Sequence, residues 1–166
     1  MTTPQLPDGY HLRRGNALDR ALLLKLTRRT YGELHPNAAL HHLAETIDQY
    51  FSARTPVWFI DIDSATATRL PKSSVPPIAI ACLWLGTAID QVRGDRHANI
   101  FLLYVAPDHR RQGLASILLH TAETWAKERG DRQITLQVFE FNEPAIRLYE
   151  KRGYRVQSFV MQKPLS

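Results

Sequence analysis

Cations stand where a helix disfavours them. Val105-Ala106-Pro107-Asp108-His109-Arg110-Arg111-Gln112-Gly113-Leu114-Ala115-Ser116 leads from an apolar, strand-like run into an amphipathic helix that begins near Gln112. The first turn of a helix carries unpaired N–H groups and the positive end of the dipole, so cations there cost free energy. A bound anion reverses the sign. The backbone N–H groups cradle it, the dipole favours it, and Arg110 and Arg111 neutralise it. Gly113 removes a Cβ from the path of such a ligand, and Ala115 keeps the next site nearly as open. The competing reading is an ordinary strand–turn–helix with its arginines in water. Two known phosphate sites are excluded. A Gly-rich turn followed by Gly-Lys-Ser/Thr is absent, and the three-glycine dinucleotide fingerprint is represented by Gly113 alone.

Arg110-x-x-Gly113-x-Ala115 resembles the Gln/Arg-x-x-Gly-x-Gly/Ala signature of the GNAT superfamily of acyl-CoA N-acyltransferases. A second block, Asn142-Glu143-Pro144-Ala145-Ile146-Arg147-Leu148-Tyr149-Glu150-Lys151-Arg152-Gly153-Tyr154, is similar to that family's Asn-x-x-Ala-x-x-Leu-Tyr-x-x-x-Gly-Phe/Tyr element. The resemblance runs from Ile78 to Lys163. It implies that Arg110, Arg111, Gln112, Gly113, Leu114, Ala115 and Ser116 hold the pyrophosphate of coenzyme A. It implies further that the backbone of Leu103, Tyr104 and Val105, where the family's fourth strand bulges, receives the pantetheine arm. Asn142, Ala145 and Tyr149 then face the cofactor, with a weaker phosphate contact for Lys151. The implied reaction moves acetyl from acetyl-CoA to a primary amine by direct attack. Coenzyme A is the product, and no metal takes part.

Tyr149 is the catalytic candidate under that reading. A phenol, with a reference pKa of about 10 against roughly 8.5 for a thiol, can protonate a departing thiolate. Spacing alone favours a packed aromatic, and the resemblance reverses that preference. No general base stands out. The family's fourth-strand glutamates fall near Phe101 and Leu102, which are apolar. Gln137 occupies the place of a glutamate found in relatives that acetylate protein N-termini. Glu140, His97, Asp90 and Tyr104 remain, each read more simply as a solvated polar residue. Tyr31, His35 and Trp58 are weak candidates for the acceptor pocket. His35, His41 and His42 lack the carboxylate or cysteine that would complete a metal set. The missing carboxylates leave a non-catalytic acyl-CoA-binding module as the rival. Within the enzyme class, a protein N-terminal or lysine acetyltransferase is the alternative.

These residues need elements to hold them. Alternation marks a strand at Tyr10 to Arg14, and Asn16 offers a cap for a helix from Ala17 to Tyr31. A second helix is expected from Asn37 or Ala38 to about Ser52. Strands follow at Val57 to Ile62, Ile78 to Ala88 and His97 to Val105. The Ser-, Thr- and Pro-rich stretch from Asp63 to Pro77 reads as a mobile loop. The clearest helical pattern spans Gln112 to Arg129 and stops at Gly130. Gln133 to Phe139 is the next strand. Asn142 caps a helix with Pro144 in its first turn that ends at Arg152-Gly153, and Tyr154 to Lys163 is a final strand. The expected fold is mixed α/β: a mostly antiparallel twisted sheet flanked by about four helices, splayed between strands 4 and 5 as the resemblance implies.

The chain has 166 residues and 44% hydrophobic residues, which suits a single domain over 1–166. Met1 to Gly9 is polar, without a signal-peptide core, and reads as a flexible tail. Cys82, the single cysteine, lies in an apolar run and fits a buried thiol in a reducing, cytoplasmic setting. The net charge of +5 comes from scattered basic residues without a nucleic-acid motif, so a cofactor rich in phosphate is partner enough. No apolar run has the length of a membrane span. The final strand could pair with a second chain to make a homodimer.

Overall fold

The computed structural model describes residues 5–63 and 78–165. The expected loop from Asp63 to Pro77 therefore lies, apart from Asp63, outside the described residues, as do the first four residues of the expected tail.

A five-stranded sheet in sequence order, β1-β2-β3-β4-β5, carries the site. Its strands are β1 (Tyr10–Arg14), β2 (Val57–Ile62), β3 (Ile78–Ile89), β4 (Arg96–Val105) and β5 (Ile134–Leu136). The first four are antiparallel neighbours, and β5 joins β4 in parallel. The helices are α1 (Arg20–Leu34), α2 (His42–Tyr50), α3 (Leu114–Glu128) and α4 (Glu143–Lys151). The mixed, mostly antiparallel sheet with four helices is the architecture expected from the sequence.

Burial explains the order. Every residue of β2 is buried, as a central strand covered on both faces requires. One face, with Phe59, Cys82, Trp84, Leu102 and Tyr104, packs on Leu23 and Leu26 of α1 and Ile47 of α2. The other face, with Ile60, Leu83, Leu85 and Ile100, packs on Leu114, Leu118, Leu119 and Ala122 of α3. Cys82 is fully buried, and burial pushes its thiol pKa well up, so it is core and not nucleophile.

β4 and β5 part company early. Pairing covers only Ala98–Ile134, Asn99–Thr135 and Ile100–Leu136, whereas β3 holds β4 as far as Ala81–Val105. From Phe101 to Val105 the β5 side of β4 is open. The register of β3 against β4 slips between Trp84 and Leu85, which leaves Phe101 as the extra residue of a bulge. The bulge therefore lies before Leu103, not at Leu103 to Val105 as expected. Gly86 makes room for it, because a Cβ there would fall 2.1 Å from the Phe101 ring.

Other boundaries differ from expectation. A 3₁₀ turn, Ala17–Asp19, precedes α1 and is capped by a reciprocal pair of hydrogen bonds between Asn16 and Asp19. α2 is shorter at both ends than the pattern suggested, and β5 is three residues long where Gln133 to Phe139 was expected. Residues 154–165 form no strand. The segment carries β-favouring residues, Val156, Phe159 and Val160, but a strand needs a partner to pair with, and among the described residues it pairs with none.

Gly86→Ala should lower stability by about 1–3 kcal/mol through overpacking against Phe101. Urea unfolding would show it, and adding Phe101→Leu should recover part of the loss.

Candidate active site

The open cleft between β4 and β5 leads into the loop that joins β4 to α3. A 3₁₀ turn at Pro107–His109 ends β4, and Arg110 is extended at φ −72° and ψ 163°. Arg111 then takes φ 65° and Gly113 φ 81°, both left-handed. A Cβ on Gly113 would touch no protein atom, so its backbone conformation is what requires glycine. The result is a row of free donors. Among the described residues, the N–H groups of 111–116 have no backbone acceptor, and the first N–H to find one is that of Ile117, to Gly113 O at 3.1 Å. Leu114 is buried in the core and offers only its backbone, while Ser116 and Ala115 are half-buried.

A distant strand braces this loop. The Tyr10 hydroxyl donates to Gln112 Oε1 at 2.9 Å and lies 2.8 Å from His109 Nδ1. Arg110 does not point into the cradle. Its Nε donates to Val105 O at 2.9 Å, and its Nη2 pairs with Glu33 of α1 at 2.5 Å.

The C-terminal end of α1 thereby reaches both walls of the cleft. Glu33 meets the β4–α3 loop, and the His35 ring meets the chain after β5, edge-on to Phe139 at 4.7 Å and Phe141 at 5.6 Å. Phe139 and Phe141 stack on each other at 5.3 Å. Tyr104 turns its side chain to the α1 face. Burial, then the nearby Glu33, raises its pKa, with Arg29 and Arg110 opposing. Any role of Tyr104 toward a ligand between β4 and β5 thus falls to its backbone. Leu103 and Val105 are half-buried against the α3 face.

Tyr149 sits on α4, packed against the α3-side core, with the Tyr154 ring 5.6 Å away. Burial pushes its pKa up to about 12. Behind it, Arg152 pairs with Glu123 of α3, and Tyr154 is held protonated by burial and by the Glu123 carboxylate. Arg152 is consequently committed to α3, whereas Lys151 is exposed. Asn142 starts α4 through its carbonyl, which accepts from Ala145 N and Ile146 N at 3.1 Å. Its side chain makes no cap, contrary to expectation, so its amide is free for other contacts.

Several candidates fall away. Trp58 is buried on the α3 face against Trp125, 6.2 Å between rings, and cannot line a pocket at the α1 end. His97 is buried and bonded to Thr135 at 3.0 Å, and Asp90 accepts from the Val92 and Arg93 amides. Both line a polar recess with Arg93, Arg96 and Arg132, beyond the end of the sheet where β4 and β5 are still paired. Gln137 and Glu140 are exposed. Among the described residues no cluster of metal ligands occurs, and no helix is long and apolar enough to cross a membrane. The sequence did not reveal Tyr10, Glu33, Phe139 or Phe141. Phe139 and Phe141 carried the one usable signal, a pair of aromatics just past a strand.

Comparison with known proteins agrees with this geometry. An uncharacterized N-acetyltransferase of Bacillus subtilis is 34% identical over 82 residues, covering 49% of this chain and 52% of that protein. Human N-acetyltransferase 8 is 25% identical over 121 residues, covering 64% of this chain and 53% of that protein. The matches thus span about half the length of these relatives. Among solved structures, a predicted acetyltransferase from Clostridium acetobutylicum with acetyl-CoA superposes with a TM-score of 0.70 at 18% identity, covering 93% of this chain and 96% of that one. The aminoglycoside N-acetyltransferase AAC(6')-Iy in complex with CoA gives 0.68 at 16% identity, covering 97% and 99%. The family model described as acetyltransferase (GNAT) matches residues 23–154, and with the parted strands, the donor-lined loop and the tyrosine helix in place, the chain belongs to that family.

Proposed function

We propose that this protein transfers the acetyl group of acetyl-CoA to a primary amine. The observation that carries the reading is the cleft where β4 leaves β5, ending in the unpaired N–H groups of 111–116. Those groups and the dipole of α3 suit the pyrophosphate, with Arg110 and Arg111 supplying charge. The unpaired backbone of Leu103 to Val105 suits an amide-bearing arm laid along the strand. Asn142 and Ala145, at the start of α4, would face the same arm.

The neutral amine nitrogen attacks the thioester carbonyl carbon, the carbon–sulfur bond breaks, and the departing sulfur takes up a proton, while the new amide nitrogen gives up its extra proton to water and the donor regains one from water. Tyr149 is the donor in this scheme. A phenol with a pKa of about 12 keeps its proton throughout the neutral range. The burial that penalises its anion penalises a thiolate in the same cleft, so donor and acceptor move in the same direction. On the acceptor side, Glu33 is the carboxylate that a cationic amine would meet. Arg110 neutralises it at present and is the residue best placed to turn toward phosphate instead.

Three outcomes are expected. Calorimetric titration should show micromolar acetyl-CoA binding that the Arg110→Ala/Arg111→Ala variant weakens by about tenfold or more, since each charge-assisted contact contributes roughly 1.5–3 kcal/mol. Absence of binding by the folded protein would remove the proposal. Tyr149→Phe should bind acetyl-CoA normally and lose about 10²-fold in kcat, while the parent chain shows no loss of its acid form up to about pH 10. Glu33→Gln should raise the amine KM several-fold and, because it releases Arg110, tighten acetyl-CoA binding by a few-fold, measured by thiol release and by titration.

A further inference from the structure

Three arginines converge at the end of the sheet away from the cleft. Arg93 lies in the β3–β4 turn, Arg96 opens β4, and Arg132 lies in the loop between α3 and β5. All three line one recess of about 230 Å³ together with Asp90, Asp95 and the buried His97. Like charges drawn into one concavity repel each other, and the concavity focuses their potential on whatever enters it.

The two carboxylates do not cancel them. Asp90 Oδ1 accepts from the Val92 and Arg93 amides at 2.8 and 3.0 Å, and its Oδ2 accepts from Gln133 Nε2 at 3.0 Å. The Arg93 and Val92 amides lead in holding its pKa below the ordinary carboxylate value, and the Arg93 charge contributes last. Asp95 pairs with Arg132 at 3.3 Å. Among the described residues, Arg93 and Arg96 make no ion pair. Two guanidinium forks therefore face the recess with hydrogen bonds still to give.

Other bonds fix the walls. Asp90 N donates to Asp95 O and Gly94 N to Asp90 O, both at 2.8 Å, which closes the turn. Asp131 accepts from Ala98 N at 2.7 Å and ties the α3–β5 loop to β4. His97 is held by Thr135 at 3.0 Å. The recess thus has its shape without a ligand.

We propose that this recess binds a phosphoryl group, free or on a small organic body, with Arg93 and Arg96 as its ligands. One fork fills a planar carboxylate, whereas a tetrahedral phosphoryl group has oxygens for two forks from different directions. Arg96 and Val105 are the two ends of β4, so the recess stands roughly 30 Å along the strand from the β4–α3 loop. It is a separate site and does not rest on acetyl-CoA binding.

Titration of the full chain with inorganic phosphate and with glycerol phosphate, followed in the proton–nitrogen amide spectrum, tests this. The amides of Gly94 and Gly130, at the recess, should shift and saturate below about 10 mM. The tighter of the two probes tells free phosphate from a phosphorylated compound. Arg93→Gln/Arg96→Gln should weaken the tighter probe by about tenfold or more and leave the rest of the spectrum in place, because both side chains are exposed. Arg96→Lys, which keeps the charge and loses the fork, should weaken it several-fold and serves should the double variant misfold. No shift at these glycines, or shifts confined to Gly113 and its neighbours, would overturn the proposal. So would malonate binding as tightly as phosphate, or affinity unchanged in both variants.

Discussion

The structure depends on one interruption of backbone pairing. A sheet satisfies its peptide groups by laddering, and leaving a buried donor or acceptor unmatched costs about 1–3 kcal/mol. Here the ladder between β4 and β5 stops after Ile100 and Leu136 while β4 continues to Val105. The opposite neighbour, β3, must then hold β4 alone. It does so through a full antiparallel register and the bulge at Phe101, whose ring lies over Gly86 and edge-on to Trp84 at 5.0 Å. The space that opens is a slot of peptide length, walled by strands that are themselves fixed.

Charge around the slot is divided between backbone and side chains. The end proposed to take the anion presents N–H groups whose direction is set by Arg111 and Gly113 in left-handed conformations. Such donors are fixed by the backbone and do not depend on a side-chain rotamer. The side-chain charge is different. Arg110 is engaged by Val105 O and Glu33, an exposed pair of modest strength that a polyphosphate can outbid. On α4, Tyr149 has its titration displaced by burial alone, with Arg152 and Glu123 pairing behind it.

The sequence made some of this legible and withheld the rest for physical reasons. β2, β3 and β4 were readable to within a residue because buried central strands are continuous apolar runs. α3 was readable because Leu114, Ile117, Leu118 and Ala122 repeat at helical spacing. The turn before α3 was readable because the apolar run of β4 gives way at Pro107 to Gly113 to helical spacing. What failed involved partners distant in sequence. Nothing local tells that Glu33 meets Arg110 or that His35 meets Phe139. Trp58 was misplaced because strand alternation does not say which face receives α1. Asn142 looked like a side-chain cap because residue type suggests that role, but here the carbonyl performs it. The segment from Tyr154 reads as a strand since residue type records what a strand would bury and not whether a neighbour is present.

Tyr10 links the ends of the molecule in time as well as space. Its hydroxyl bridges to His109 and Gln112 across sequence separations of 99 and 102 residues. Contacts of that span carry the largest loop-closure entropy and form after local structure has made them affordable. The β4–α3 turn can form early from nearby residues, but its bracing waits until β1 has docked on β2 at the edge of the sheet. The β4–α3 loop would thus be among the last features to become rigid during folding, and the first to loosen when the β1 edge frays.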